Sequence, residues 1–262
     1  MNWTKTKTTV TVGGAILVLT LATVVKLHFT TVIKDAYFDP DTDKLRQLPA
    51  NLIVVRPTHF PHFSAKQRHL HEDSSSVTRT LGRNVSLRDA IAEAYDCNPS
   101  RVVLPADAPK GGYDFLVTTG VNAREDLKTA IQRKLGFTAH RETREMDVWG
   151  LRVEDPNLPG LTVSPDTESA DETFKNGKLY LTHQSLGDIL GGLSQGLNEP
   201  VIDQTGLTNY YDFSVTWNGE IQKRMESGTF DVDGVKKVLA GWGLRLEADT
   251  APVDVFVVQK TR

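Results

Sequence analysis

Cysteine is nearly absent from this chain of 262 residues, since Cys97 is the only one. An internal disulfide and a zinc site built from several thiolates are therefore excluded. A surplus of positive charge is also missing, because 30 Lys and Arg stand against 33 Asp and Glu, a formal net charge of -3. Such a balance gives no electrostatic attraction for nucleic acid, so we expect no nucleic-acid partner.

The sequence also lacks the short motifs of the common catalytic sites. It contains no G-x-S-x-G, P-loop, dinucleotide-binding glycine pattern, HExxH or EF-hand loop. Four histidines do crowd one short segment: His59, His62, His69 and His71. Imidazole is the commonest zinc ligand, but prolines interrupt the segment and its spacing fits no single helix face, which favours a solvated loop or an edge strand. We therefore expect no catalytic residue, no cofactor and no metal.

An apolar run stands near the N-terminus. Residues 8–25 carry no charge and are rich in Val, Leu and Ile, and their length approaches the roughly 20 residues that span a bilayer. Lys5 and Lys7 precede the run and Asp35 follows it, which by the positive-inside rule puts the N-terminus in the cytoplasm. We expect a single-pass membrane anchor with a periplasmic body, and a cleaved signal peptide is the alternative.

Composition divides the chain into lobes and connections. Residues 1–34 form the cytoplasmic tip and the anchor, and the acidic residues 35–50 are interpreted as a spacer. Residues 154–178 hold three prolines and several acids and are interpreted as a polar linker. A first α+β lobe is expected over 51–153 and a second over 179–262.

The two lobes repeat one order of elements. Ser86 with Asp89, and Ser185 with Asp188, each indicate the start of a capped amphipathic helix. Other features recur in the same order: the Tyr-Asp-Phe triplets at 113–115 and 211–213, the helix-ending Gly136 and Gly243, and the ungapped segments 137–153 and 244–260. We predict an α+β fold in which two related βαββαββ-like lobes follow an N-terminal transmembrane helix.

The closing segment of each lobe is interpreted as a hairpin. In the first lobe, residues 137–141 and 146–153 flank Glu142-Thr143, which we take as the turn. The charged residues around that turn favour a solvated cluster of ion pairs over a proton-transfer pair; they are His140, Arg141, Glu142, Arg144 and Glu145. Cys97, at the end of a helix, is expected to be a half-buried and unreactive thiol.

The second lobe is organised around Val201 to Trp217, VIDQTGLTNYYDFSVTW, which indicates strand, turn and strand. Its D-Q-T-G order departs by one residue from the D-T-G of aspartic proteases, so Asp203 or Thr205 is expected to bond the turn backbone. Asp212 matches Asp114 of the first lobe, and a duplicated aspartate favours a structural role because a catalytic site needs one copy. The residues assigned to this structural motif are Asp203, Thr205, Gly206, Asn209, Tyr211, Asp212 and Phe213.

The large aromatic side chains of the second lobe have two interpretations. Aromatic residues are most often core, whereas several exposed together mark a binding face. We expect Tyr211, Phe213 and Trp242 in the core. Tyr210 and Trp217 are left as the candidates for a binding face.

Four segments carry a resemblance to a known family: HRETREMDVWGL at 140–151, VIDQTGL at 201–207, YDFSVTW at 211–217 and APVDVFVV at 251–258. Over roughly residues 50–260 the chain resembles a family of exported proteins expanded in soil bacteria, a soil-associated domain of unknown function. Its most specific mark is D-x-TGL-x3-YDF, and Asn209 stands where the family usually has glycine. Asparagine tolerates the left-handed conformation next best. Each lobe is also similar in pattern to the small N-terminal βα modules of secretins and TonB-dependent receptors.

The resemblance implies an extracytoplasmic role and supplies no reaction, cofactor or substrate. With the composition and the absent motifs, it predicts a non-catalytic interaction or ligand-sensing module of the bacterial cell envelope, not an enzyme. Its partner would be an envelope protein or ligand, met by a lobe surface or by strand addition at an exposed sheet edge. Two alternatives stay open: an envelope hydrolase that uses the histidine segment with a metal, and a structural domain that acts through homo-oligomers.

Overall fold

The computed structural model describes residues 35–73, 76–165, 169–216 and 230–261. The predicted membrane anchor and Trp217 lie outside these ranges. Over the part of the chain that is described, no helix has both the length and the apolar character needed to cross a bilayer. Helices and several sheets alternate along the chain, so the predicted α+β class is confirmed.

Strands and helices are numbered in chain order. The strands are β1 (Ile53–Pro57), β2 (Lys66–Asp73), β3 (Ser76–Val85), β4 (Val102–Val103), β5 (Tyr113–Val117), β6 (Phe137–Val153), β7 (Thr162–Val163), β8 (Asp171–Lys175), β9 (Lys178–Gln184), β10 (Val201–Asp203), β11 (Tyr211–Thr216) and β12 (Leu244–Lys260). The α-helices are α1 (Thr42–Gln47), α2 (Leu87–Tyr95), α3 (Ala123–Leu135), α4 (Leu186–Leu197) and α5 (Val232–Gly241). Short 3-10 turns occupy Pro99–Arg101 and Gly120–Asn122.

The chain separates into two compact units. One holds the described residues up to 90 together with 109–136, and the other holds 91–108 together with the described residues from 137 onward. The first unit contains one sheet, β1-β5-β3-β2, called here the first sheet. The second unit contains two, the second sheet β7-β11-β9-β8 and the central sheet β10-β6-β12-β4.

The first sheet is antiparallel throughout and is covered on both faces. Helix α3 packs against β1, β3 and β5. Strand alternation puts Leu116 on the face opposite to Phe115, and there Leu116 joins Leu81 in a core cluster with Phe38 and Leu45. Residues 35–48 therefore form a folded cover over the outer face of the first sheet, where the sequence suggests only a spacer.

The second sheet is also antiparallel and has the same strand order. Strands β8 and β9 are joined by Asn176-Gly177, both with positive φ, as a two-residue hairpin turn requires. Two strands of this sheet, β7 and β8, thus come from residues 154–178, which the sequence suggests to be a polar linker. The inner face packs into the main core of the second unit through Tyr211, Phe213 and Val215.

The central sheet corrects the predicted hairpins. Strand β6 runs without a turn through Glu142-Thr143, and it pairs along its whole length with β12, from Phe137↔Lys260 to Val153↔Leu244. The hairpin prediction is wrong because alternation of apolar and polar residues shows that a segment is extended and not where its partner lies. Each βαββαββ-like pattern therefore ends in one long strand, and the charged residues of the expected tip lie along a strand.

The central sheet is arranged symmetrically about the pair Glu145↔Pro252. Four positions beyond Glu145, Trp149 pairs in parallel with Val201 of β10, and four positions beyond Pro252, Phe256 pairs in parallel with Val102 of β4. The ungapped match between 137–153 and 244–260 thus corresponds to two strands with equivalent neighbours.

The predicted helix ends are confirmed. Ser185 and Asp188 form a complete capping box on α4, and at the start of α2 the hydroxyl of Ser86 accepts from the Asp89 N–H at 3.1 Å. Gly136, with φ +74°, ends α3 in the left-handed conformation. Gly243 has φ +77° after α5, as its predicted equivalence to Gly136 requires.

Candidate functional site

A β-bulge capped by an aspartate occurs at the same place in the first and second sheets. Between β3 and β5 the register shifts beside Asn84, which has φ +52°, and between β9 and β11 it shifts beside His183, which has φ +49°. Asp114 Oδ1 accepts from the Asn84 N–H at 2.9 Å, and Asp212 Oδ1 accepts from the His183 N–H at 2.8 Å. The aspartates of both Tyr-Asp-Phe triplets therefore hold the backbone of a bulge.

Asp114 is enclosed and is bonded by several donors. Its side chain is fully buried, and its Oδ1 also accepts from the hydroxyl of Thr58 at 2.7 Å. Its Oδ2 accepts from the His59 N–H at 2.9 Å and faces the guanidinium of Arg56 at 3.4 Å. Because a buried carboxylate needs partners for its lone pairs and its charge, these donors explain how Asp114 is accommodated.

The Arg56 guanidinium completes the first site from the side of the cover. It lies over the Phe38 ring, 4.6 Å from the centroid, and forms an ion pair with Asp35. Asp35 also accepts from the imidazole of His59 at 3.0 Å. Partial burial opposes the shift, but hydrogen bonds from Arg56 and His59 bring the pKa of the Asp35 carboxyl below its ordinary value. The cover is thus tied to the sheet by apolar contacts and by charge.

Asp212 lacks counterparts of the Arg56 side chain and of the His59 N–H. Strand β7 pairs with β11 as β1 pairs with β5, so Thr162 stands in the place of Arg56 opposite the aspartate. The backbone bond from Ser164 N–H to the Tyr210 carbonyl repeats that from Thr58 to Gly112, which places Pro165 where His59 donates its N–H. Proline has no N–H. Within the described ranges, the hydrogen bond from the His183 N–H is the one bond that Asp212 receives.

The outer face of the second sheet is polar where that of the first is apolar. The pair Leu81↔Leu116 of the first sheet corresponds to Tyr180↔Ser214 of the second, and Tyr180 is 40% exposed. We call this surface the open face. Its members, which strand pairing puts on one side of the sheet, are Thr162, Asp171, Thr173, Lys175, Lys178, Tyr180, Thr182, Asp212, Ser214 and Thr216.

A shallow, open cleft of about 360 Å³ lies on this face. Its lining combines a carboxylate and hydroxyl groups with two aromatic rings and apolar residues, supplied by Pro159, Gly160, Thr162, Tyr180, Leu181, Thr182, Asp212, Phe213 and Ser214. In the described ranges, no segment packs over this cleft as residues 35–48 pack over the first sheet. Within the described residues, the open face thus combines an incompletely bonded carboxylate with accessible space.

A comparison with known families decides where the chain belongs. Residues 88–261 match a family described as a protein of unknown function, DUF3738. The chain belongs to this family. The match includes the central sheet and the second sheet whole, and it begins near residue 88, later than the start near residue 50 expected from the sequence. No curated protein matches this DUF3738 chain. No solved structure matches it.

The D-x-TGL part of the DUF3738 chain forms a turn that bonds itself. Asp203 Oδ1 accepts from the N–H of Thr205 at 2.8 Å and from its hydroxyl at 2.7 Å, and the Thr205 hydroxyl accepts from the Leu207 N–H at 3.0 Å. Gly206 has φ +70°, whereas Asn209 keeps a negative φ, so the left-handed geometry expected at Asn209 is absent. Asp203 and Thr205 therefore both accept hydrogen bonds from backbone N–H groups of the turn.

The aromatic residues of the second unit divide between core and surface. Tyr211 is buried and Phe213 packs at 4.6 Å, centroid to centroid, against Trp242. Tyr210 is 43% exposed and stacks at 4.0 Å on the ring of His183. Tyr210 thus lies beside the bulge that Asp212 caps, and Trp217, its proposed companion, falls outside the described residues.

The other residues weighed for chemistry are scattered. His69 and His71 lie on edge strand β2, while His59 and His62 lie in the preceding loop. Across the described ranges, no group of three or more His, Cys, Asp or Glu side chains could hold a metal ion. Burial raises the pKa of the Cys97 thiol to about 11, Asp96 adds to the rise and Arg101 opposes it, which disfavours the reactive thiolate.

The charged residues of β6 pair along and across the strands. Arg141 and Thr143 bond Asp254 of β12, which lowers the pKa of the Asp254 carboxyl, with the Thr143 hydrogen bond as the main cause. Glu142 bonds Arg144 and His140. These are exposed ion pairs of a kind that contributes little individually.

The open face could not be identified without the second sheet. The dipeptide Asn176-Gly177, flanked by lysines and alternating residues, is the sequence signal that predicts the β8–β9 hairpin. Once that hairpin is placed, Tyr180 falls on the face of Asp212. That Thr162 occupies the position equivalent to Arg56 follows only from the pairing of β7 with β11, because the sequences of β1 and β7 do not reveal their equivalence.

Proposed function

We propose that this protein is a non-catalytic interaction module of the bacterial cell envelope, and that it binds a partner on the open face. The observation that carries the proposal is the contrast between the two outer faces. The first is covered by residues 35–48 of the same chain, and its aspartate is fully bonded. On the second, the equivalent aspartate opens into a cleft with exposed Tyr180 beside it.

The chemistry of the open face supports binding in preference to catalysis. Asp212 faces hydroxyl groups and a tyrosine, with no nucleophile–base pair and no described cluster of metal ligands beside it. A cleft of this shape can accept a side chain or an extended segment from a partner. Strand addition at the short edge strand β7 could extend such contact, since its outer backbone groups have no sheet partner in the described chain.

The setting of the module is part of the proposal. Two related lobes behind an N-terminal membrane helix would display the open face in the periplasm, with the N-terminus in the cytoplasm. The matching strand orders of the two sheets and the capping boxes support the related lobes, and the uncharged run over 8–25 supports the anchor. The partner would be an envelope protein or ligand. The histidine segment belongs to no group of three or more metal-ligating side chains among the described residues, which gives the alternative of an envelope hydrolase no support from that part of the chain.

Site-specific photo-cross-linking in cells tests the proposal. The full chain carries p-benzoylphenylalanine at Tyr180, in the open face, or at Lys237, an exposed residue of α5. We expect a discrete adduct with a second protein or ligand from position 180 and none from position 237. Equal adducts at both positions, no adduct at 180, or an adduct formed only within the chain would each contradict the proposal.

A further inference from the structure

We propose that the cleft beside Asp212 recognises the guanidinium group of an arginine side chain on the partner. This inference rests on the proposed function for the source of the arginine. The first sheet supplies its basis, because there the same aspartate position is filled by a guanidinium from the chain itself.

The first site defines the geometry of such a complex. Asp114 uses Oδ1 for the bulge N–H, and its Oδ2 faces the Nε of Arg56, whose guanidinium also lies over the Phe38 ring. Arg56 is the β1 residue that pairs directly with Asp114, so its side chain meets the carboxylate from the neighbouring strand. A guanidinium thus satisfies three requirements at once: hydrogen bonding to the carboxylate, neutralisation of its charge and stacking on a ring.

The second site retains the acceptor and has lost the cation. Asp212 again uses Oδ1 for the bulge N–H of His183. Thr162, opposite the aspartate, is too short and has no charge to replace Arg56. Within the described ranges no ion pair reaches Asp212 and no hydrogen bond occupies its Oδ2, while the residue itself lines the cleft.

The charges of the open face favour a cation at this end. Asp171 pairs with Thr182 and adds a second carboxylate to the end of the face that holds Asp212. The lysines of the face, Lys175 and Lys178, pair with each other at the other end, beside the turn. The face is therefore negative where the cleft lies.

Tyr180 can serve the role that Phe38 serves in the first site. It lies directly across from Ser214, two residues from Asp212 on β11, and such diagonal neighbours are about 7–8 Å apart. One planar group can therefore touch the carboxylate and the ring together. Arginine suits this arrangement better than lysine, because its guanidinium is planar, weakly hydrated and able to stack while it donates.

The site can be tested by restoring the missing arginine. In the full chain, Thr162→Arg should place a guanidinium beside Asp212 and raise the midpoint temperature of unfolding by about 2–4 °C. The same substitution in an Asp212→Asn background should give no rise, and Thr162→Gln is the matched uncharged control. An equal shift in both backgrounds, or a fall with intact Asp212, would overturn the inference whether or not a partner is found.

Competition with the partner gives the second arm. With the cross-linker at Tyr180, Thr162→Arg should reduce the adduct at least tenfold because its charged side chain occupies the cleft, and Thr162→Gln, which adds length without charge, should reduce it far less. Lys237→Arg, on α5 outside the open face, is the control that should leave the adduct within about twofold. Persistence of the adduct with Thr162→Arg, or an equal loss with Thr162→Gln, would overturn guanidinium recognition while the proposed interaction stands. Absence of any adduct overturns the proposed interaction and leaves the thermal comparison to decide the chemistry of the cleft.

Discussion

Asp114 and Asp212 cap the same bulge in two sheets of the same strand order, and their surroundings differ in charge and in enclosure. Around Asp114 the chain supplies an arginine, a hydroxyl and a second N–H, and the cover encloses them. Around Asp212 a threonine and a proline occupy the positions of Arg56 and His59, and the face is polar. One backbone design thus serves as a closed core in one unit and as an accessible surface in the other.

The comparison separates what the bulge needs from what burial needs. Both bulges keep a residue in the left-handed conformation and an aspartate that accepts its N–H. Only Asp114, the buried aspartate, has the additional donors. Without them, burial of its charge would cost several kcal/mol in the free energy of folding. The aspartate is therefore a structural requirement in both sheets, and its spare acceptor is a binding opportunity in the second alone.

Replacement of the two aspartates should break the comparison most strongly. Asp114→Ala leaves Arg56 without its buried partner, so we expect a loss of about 3–5 kcal/mol in the free energy of unfolding. Asp212→Ala removes one hydrogen bond at an open site and should cost about 1 kcal/mol. Urea denaturation of both variants measures the difference, and equal losses would show that the enclosure of Asp114 contributes nothing.

Removal of the aromatic residue on each outer face comes next in size. Phe38 is 1% exposed beneath the cover, so Phe38→Ala should cost about 3 kcal/mol through the cavity it leaves. Tyr180 is 40% exposed, and Tyr180→Ala should cost less than about 1 kcal/mol. The same denaturation experiment tests both. A larger loss from Tyr180→Ala than from Phe38→Ala would mean that the second face is covered after all.

Acid should loosen the cover of the first sheet. The pKa of the Asp35 carboxyl is lowered in the folded protein, so its contacts add stability above its ordinary value of 3.8, and that stability is lost as the pH falls below it. Asp35 is partly exposed, so the contribution should stay below about 1 kcal/mol. Unfolding midpoints between pH 6 and about pH 3 should therefore differ less for Asp35→Asn than for the wild type. An identical pH dependence would contradict the role assigned to Asp35.

The left-handed bulge residues should also give a small effect. His183→Gly and His183→Ala both remove the ring that stacks on Tyr210, and they differ in the cost of φ +49°. The glycine variant should be about 1 kcal/mol more stable than the alanine variant. The parallel pair at Asn84 should show the same sign. Thermal unfolding of the four variants checks this, and a reversed order at either site would remove the equivalence of the two bulges.

Local signals in the sequence predicted the helices and misplaced the strands. Ser86, Ser185, Gly136 and Gly243 act on backbone groups within a few residues, so their roles follow from spacing alone. Strand partners are set by residues far apart in the chain, and nothing between 141 and 146 shows whether the chain turns or continues. The predicted hairpins failed for that reason.

The cover and the candidate site depended on tertiary contacts in the same way. Phe38 and Leu45 are too sparse in an acidic segment to predict packing, although both are almost fully buried. Asp212 was assigned a structural role from its duplication with Asp114. Its difference from Asp114 arises from Thr162 and Pro165, which become its neighbours only through the pairing of β7 with β11.

The full-length pairing of β6 with β12 has a consequence for how the molecule is made. Residues 154–243 separate these partners in the chain. The pairing therefore raises the contact order of the fold, which slows folding. During synthesis, β6 emerges long before β12 and presents an unpaired edge of 17 residues, which is a hazard for association with other chains. Charged residues lie along that strand, with Arg141, Glu142 and Arg144 among them. Such residues oppose the aggregation of a strand whose partner has not yet been synthesised.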